Sequence, residues 1–164
     1  MAFINVYLGL GSNTGDRRRN IETAVRLLDE ALHTRSTGIS TLIETEAWGF
    51  QGGKFLNACI LYRLLRKGTP EEQGLRLLRI CKEIERRMGR DEAPVFDAAG
   101  RRVYQDRPID IDILFFGDKR IRTPDLTVPH PLAAQRPFVM IPLREIARPG
   151  LKRAFPDLFR EAGE

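Results

Sequence analysis

An α+β sandwich with a mainly antiparallel sheet is the fold class this sequence predicts, from three observations. Apolar runs with strand patterning alternate with segments of helical spacing in the order strand, helix, strand, strand, helix, strand. Glycine and proline clusters separate them, and no segment repeats. At 164 residues, 42% hydrophobic and 30% charged, the chain has the size and composition of one globular domain, expected over residues 1–164.

The first strand is expected over Phe3 to Leu10, closed by the turn cluster Gly11-Ser12-Asn13. Asp16 is the N-cap of a helix whose stripe is Ile21, Ala24, Val25, Leu28 and Leu32, spaced by three and four residues. Thr37 to Thr45 and Phe55 to Leu64 are rich in strand formers, with a glycine-punctuated loop from Glu46 to Gly53 between them. Thr69-Pro70-Glu71-Glu72 signals a second helix, with threonine as cap and proline in the first turn. Its stripe is Leu77, Cys81, Ile84 and Met88. Residues 89–106 show little periodicity and are read as a mobile loop or lid. A last buried strand is read within residues 107–117, followed by proline-rich segments and a weakly patterned tail from Gly150. This element order is that of a ferredoxin-like βαββαβ sandwich, with both helices on one face and long active-site loops around the sheet.

The last strand carries Asp110 and Asp112. Alternate side chains of a strand share a face, so both carboxylates point one way while Ile109, Ile111 and Ile113 point the other. Burial gains nothing from that pair of like charges. Two oxygen donors converging at this spacing suit a hard cation such as Mg²⁺, which combines carboxylates with phosphate oxygens. The plainer reading is a solvated edge strand, on which charges discourage aggregation.

Other features narrow the function classes. A net charge of +5 points to an anionic partner, either nucleic acid or a polyphosphate such as ATP. No apolar run reaches the length of a membrane span, and the N-terminus lacks a signal-peptide pattern, so a cytoplasmic protein is expected. Cys59 and Cys81 sit in apolar-periodic segments and read as small buried hydrophobes. Gly9-Leu10-Gly11 imitates a dinucleotide fingerprint without its third glycine, and there is no P-loop. Arg90 and Arg107, beside the long loop, are candidate phosphate ligands, and His130 is held between Pro129 and Pro131. Phe55 and Asn57 share a strand face, where an aromatic beside an amide can stack on and hydrogen-bond a planar heterocycle. A basic RNA reader would show an aromatic Lys/Arg-Gly-Phe pattern on its sheet, which this chain lacks. Another metal-dependent nucleotidyl or phosphoryl transferase stays open as a reading of the aspartate pair.

Tyr7 through Asn13, Phe55 through Ala58, Glu85 through Arg90, Asp106 through Leu114, and Leu126 through Pro131 with Arg136 and Phe138 together resemble the 6-hydroxymethyl-7,8-dihydropterin pyrophosphokinases of folate biosynthesis. The resemblance spans almost the whole chain in the family's order. It implies pyrophosphoryl transfer from ATP to the pterin's hydroxymethyl oxygen, with two Mg²⁺ ions held by Asp110 and Asp112, Arg90 and Arg107 as catalytic cations, and a monomer without nucleic-acid or membrane partners. It further implies that Glu85, Arg107, Ile113, Thr127, His130 and Arg136 serve ATP, and that Thr45, Ala47, Trp48, Phe55, Asn57, Asp110 and Phe138 form the pterin pocket. The chain departs from better-known members at Glu46-Ala47, where they carry a proline pair, and at Asp125, where some carry arginine.

Overall fold

The computed structural model describes residues 2–46, 53–89, 95–100, 102–103 and 108–160. In chain order the strands are β1 (Phe3–Ser12), β2 (Gly38–Ile39), β3 (Ile43–Thr45), β4 (Phe55–Leu65), β5 (Val95–Phe96), β6 (Arg102–Val103), β7 (Asp110–Phe116), β8 (Ile121–Arg122) and β9 (Thr127–Val128). The α-helices are α1 (Arg17–Leu32), α2 (Pro70–Arg87), α3 (Pro137–Ile146) and α4 (Pro149–Ala154).

Both long helices begin where local chemistry dictates. The Asp16 carboxylate accepts the Arg19 N–H at 3.1 Å, and the Thr69 hydroxyl accepts the Glu72 N–H at 3.1 Å. Each cap satisfies an N–H that the first turn leaves unpaired, worth about 1 kcal/mol. Helix α1 ends at His33, whose φ of 56° closes the helix in the left-handed region.

The main sheet runs β2-β4-β1-β7, with β3 also on β4, and every pairing is antiparallel. Strand β1 is central because it pairs over its whole length with β4 and over most of β7. Alternation along the strands divides the interior in two. Val6, Leu8, Leu10, Ile60, Tyr62, Ile109, Ile111 and Ile113 pack with the stripes of α1 and α2. On the opposite face Tyr7, Cys59, Leu61, Leu114 and Phe115 pack with Val139, Met140 and Leu143 of α3 and with Leu151 of α4. Each fully buried aliphatic side chain contributes roughly 1.5–3 kcal/mol. The α+β antiparallel fold is therefore as expected, with α1 and α2 on one face. The other face is covered by α3, from the end of the proline-rich region, and by α4, at the start of the weakly patterned tail.

Three further differences from expectation have local causes. The run from Thr37 to Thr45 is two short strands, because the Ser40 hydroxyl accepts the Cys59 N–H at 2.8 Å between them. The described part of residues 89–106 contains the β5–β6 hairpin, in register from Val95–Val103 to Phe96–Arg102, rather than loop alone. In β7 the register steps from Leu8–Ile113 to Tyr7–Phe115, so Leu114 is an extra residue. This bulge sends Leu114 and Phe115 to the same core and reverses the alternation beyond it. Among the described residues, no helix is long and apolar enough to cross a membrane.

Candidate active site

Strand β7 is an edge of the main sheet, and a cavity of ≈ 560 Å³ wraps around its first half. Asp110 and Asp112 line it, half-buried, while Ile109, Ile111 and Ile113 are buried toward the helices. The strand's two-residue period thus separates a charged face from an apolar one, as the sequence pattern requires. Opposite the aspartates in register lie Gly11 and Gly9 of β1. Two glycines at alternate positions leave that strip of sheet bare where the cavity needs room.

Part of the cavity lining is aromatic and amide: Thr45, Phe55 and Asn57 from β3 and β4, with Phe138 from α3. Asn57 is 5% exposed, and its Nδ2 donates to the Thr45 Oγ1 at 2.7 Å. That bond fixes the amide and makes Oδ1 its acceptor. A side chain at Gly11 would place a Cβ 2.9 Å from Asn57 Oδ1 and 3.4 Å from Phe55 Cδ1, so glycine is the residue that this close approach permits. Phe138 sits beneath the Arg136 guanidinium, whose Cζ is 5.6 Å from the ring centroid.

The lining also includes polar and cationic groups, Lys82 and Glu85 of α2, Thr127 of β9, His130 and Arg136, together with Ile113 of β7. Glu85 is 2% exposed, and its Oε2 accepts the Ile111 N–H at 2.8 Å, on the outward edge of β7 between the two aspartates. His130 is anchored by the bulge, since its N–H donates to the Leu114 carbonyl at 3.0 Å. The Leu132 N–H donates to His130 Nδ1 at 3.3 Å, which leaves the proton of the neutral ring on Nε2. Burial is the main cause that lowers the His130 pKa, and the Arg136 charge adds to it while Asp110 opposes it.

Every sequence-derived candidate among the described residues lines this cavity; Ala47, Trp48, Arg90 and Arg107 lie outside the described residues. Sequence reasoning missed Gly9 and Gly11 as cavity floor and Lys82 as a lining cation. The i, i+2 glycine pair inside a strand was the available signal for the first. For Lys82 it was a position three residues before a buried glutamate on the same helix face. Arg17 was also missed: its guanidinium donates to the Lys54 carbonyl at 2.8 Å and to Glu44 Oε2 at 2.6 Å, joining the chain on either side of the β3–β4 connection. This contact holds the Glu44 carboxyl below its usual pKa.

The two cysteines stay outside the chemistry. Burial pushes both thiols well above their ordinary pKa, and for Cys81 the charges of Glu85 and Asp112 reinforce it. Among the described residues no group of three or more His, Cys, Asp or Glu side chains gathers to hold a metal. A pair of carboxylates at a polar cavity fits a cation that keeps waters and takes its remaining ligands from substrate phosphates, as Mg²⁺ does.

A family model described as 7,8-dihydro-6-hydroxymethylpterin-pyrophosphokinase matches residues 7–148. The 2-amino-4-hydroxy-6-hydroxymethyldihydropteridine pyrophosphokinase of Porphyromonas gingivalis is 40% identical over 144 residues, which cover 87% of this chain and 90% of that protein. The protein of that name from Aquifex aeolicus is 42% identical over 142 residues, 86% of this chain and 79% of its own length. A folate synthesis bifunctional protein of Arabidopsis thaliana is 39% identical over 145 residues, 88% of this chain and 27% of that longer one.

Proposed function

Because the chain belongs to the 7,8-dihydro-6-hydroxymethylpterin-pyrophosphokinase family, it transfers pyrophosphate from ATP to the hydroxymethyl group of 6-hydroxymethyl-7,8-dihydropterin in folate synthesis, and we propose that the cavity along β7 is where it does so. The observation that carries this assignment is that Asp110 and Asp112 line one cavity together with Phe55, Asn57 and Phe138 and with the cationic and polar groups Lys82, His130 and Arg136.

In this reading the pterin lies between Phe55 and Phe138, and Asn57 Oδ1 accepts from the donor edge of the heterocycle. Thr45 holds that amide in place, and Ala47 and Trp48 are assigned to the pterin by the family resemblance. ATP occupies the rest of the cavity, with Glu85, Ile113 and Thr127 lining its subsite. The Nε2–H of His130 and the guanidinium of Arg136 face its phosphates, and Arg90 and Arg107 add positive charge.

The hydroxymethyl oxygen attacks the β-phosphorus in line. The bond from that phosphorus to the oxygen bridging to the α-phosphate breaks, so AMP leaves and the pterin diphosphate forms. Asp110 and Asp112 would hold two Mg²⁺ ions, which neutralise the triphosphate and polarise the phosphorus under attack. The chain's own contribution is to position the two substrates, exclude water and supply fixed charge. One domain suffices for this, and we assign the protein to the cytoplasm as a monomer acting on small molecules, without nucleic-acid or membrane partners.

The test is product analysis with ATP, Mg²⁺ and 6-hydroxymethyl-7,8-dihydropterin, against controls without pterin. Pterin-dependent AMP is expected. ADP in its place would reassign the chemistry to simple phosphoryl transfer.

A further inference from the structure

Helix α3 carries Phe138 near its start, and two long-range hydrogen-bonded ties hold its other end. The Thr41 backbone N–H and hydroxyl both donate to Glu145 Oε1, at 2.9 and 2.8 Å, across 104 positions of sequence. Just beyond the helix, the Arg148 N–H donates to the Tyr7 hydroxyl at 2.9 Å, across 141 positions. Tyr7 is 1% exposed and stands on the α3 side of β1, two residues before Gly9. Thr41 lies two residues before β3, the strand that ends in Thr45.

The same two ties therefore connect the C-terminal end of α3 to β1 and to the segment that leads into β3. Val139, Met140 and Leu143 already attach α3 to the sheet through apolar contact. Such contact is non-directional and leaves sliding and rotation of a short helix weakly specified, whereas hydrogen bonds have a defined distance and angle. Phe138 stands seven residues from Glu145, about 10 Å along the helix axis, so a small rotation at the tied end moves the ring within the cavity.

We propose that Glu145 and Tyr7 are positioning residues for the pterin: they fix the C-terminal end of α3 so that Phe138 stands at the stacking distance from Phe55. This rests on the assignment of Phe138 to the pterin pocket. Neither residue touches substrate, and neither is among the residues that line the cavity.

The experiment measures pterin KM, ATP KM and melting temperature for Glu145→Ala, Tyr7→Phe and Phe138→Ala, and for each of the first two combined with the third. Tyr7→Phe removes one oxygen and keeps the ring, so it stays folded even if Glu145→Ala does not. Each of the two is expected to raise pterin KM several-fold, on the order of fivefold, as loss of a hydrogen bond allows. Glu145→Gln keeps a carbonyl acceptor and should restore most of the loss. In the Phe138→Ala background neither substitution should raise pterin KM further, because the ring through which they act is gone. An unchanged pterin KM in both single variants, or a full additive rise in the Phe138→Ala background, overturns the inference and leaves the pocket assignment standing. If Phe138→Ala itself leaves pterin KM unchanged, the pocket assignment fails and the inference falls with it.

Discussion

Glu85 Oε2 accepts the backbone N–H of Ile111 at 2.8 Å, so a buried carboxylate of α2 holds the edge strand at the residue between Asp110 and Asp112. An edge strand lacks a neighbour on its outer side, and here a helix side chain takes that place. Glu85→Ala strands the Ile111 N–H in a dry setting at a cost of about 1–3 kcal/mol, which for a chain of this size lowers the melting temperature by roughly 2–4 °C per kcal/mol. Glu85→Gln retains an acceptor and should melt close to the parent. Thermal denaturation of the three proteins checks this, and equal melting for Ala and parent would show that the bond contributes nothing.

Asp110→Ala and Asp112→Ala should each reduce AMP formation by on the order of a thousandfold while the protein stays folded. Both side chains are half-buried on the cavity face and belong to neither apolar core. Circular dichroism alongside the turnover assay separates lost chemistry from lost fold. Normal turnover in either variant would remove the metal assignment.

Gly11→Ala introduces a methyl group 2.9 Å from Asn57 Oδ1, closer than real contacts allow. The amide must leave its bond to Thr45 to make room, so the pterin loses an oriented acceptor. A rise of about tenfold in pterin KM is expected, with ATP KM within about twofold of the parent. Kinetics with each substrate varied in turn decides this, and an equal effect on both would locate the damage elsewhere.

His130 should titrate below its ordinary value of 6.5 in the metal-free protein, because burial and the Arg136 charge disfavour the imidazolium. The sign of the linkage follows. Between the lowered folded pKa and 6.5 the unfolded state binds more protons, so stability falls as pH drops through that window and levels off below the folded pKa. Proton NMR of the ring follows the titration directly, and Arg136→Ala should move it upward. A ring that titrates above 6.5 contradicts the described surroundings.

Much of the site is visible in the linear order because its signals are local. Asp110 and Asp112 share a face through the two-residue period of one strand, and Phe55 and Asn57 do so on another. Glu85 is less obvious: it lies outside the apolar stripe read for its helix and is named only through the family resemblance, and only the docked helix shows that it accepts an N–H of β7. Lys82 and Gly11 gave weaker signals, since a lysine on a helix or a glycine in a strand usually has an unremarkable role.

The sequence by itself determined the two capped helices, the strands that alternate between a core and a cavity face, and the aspartate pair. These depend on backbone periods and capping chemistry within a few residues. Only the tertiary structure decided that Gly11 opens the space occupied by Asn57, that the Leu114 bulge anchors His130, and that α3 packs on the sheet so that Phe138 and Phe55 line one cavity. Those relationships join residues far apart in the chain, and they are set by sheet order and helix docking, whose energies come from burial that no single segment can achieve alone.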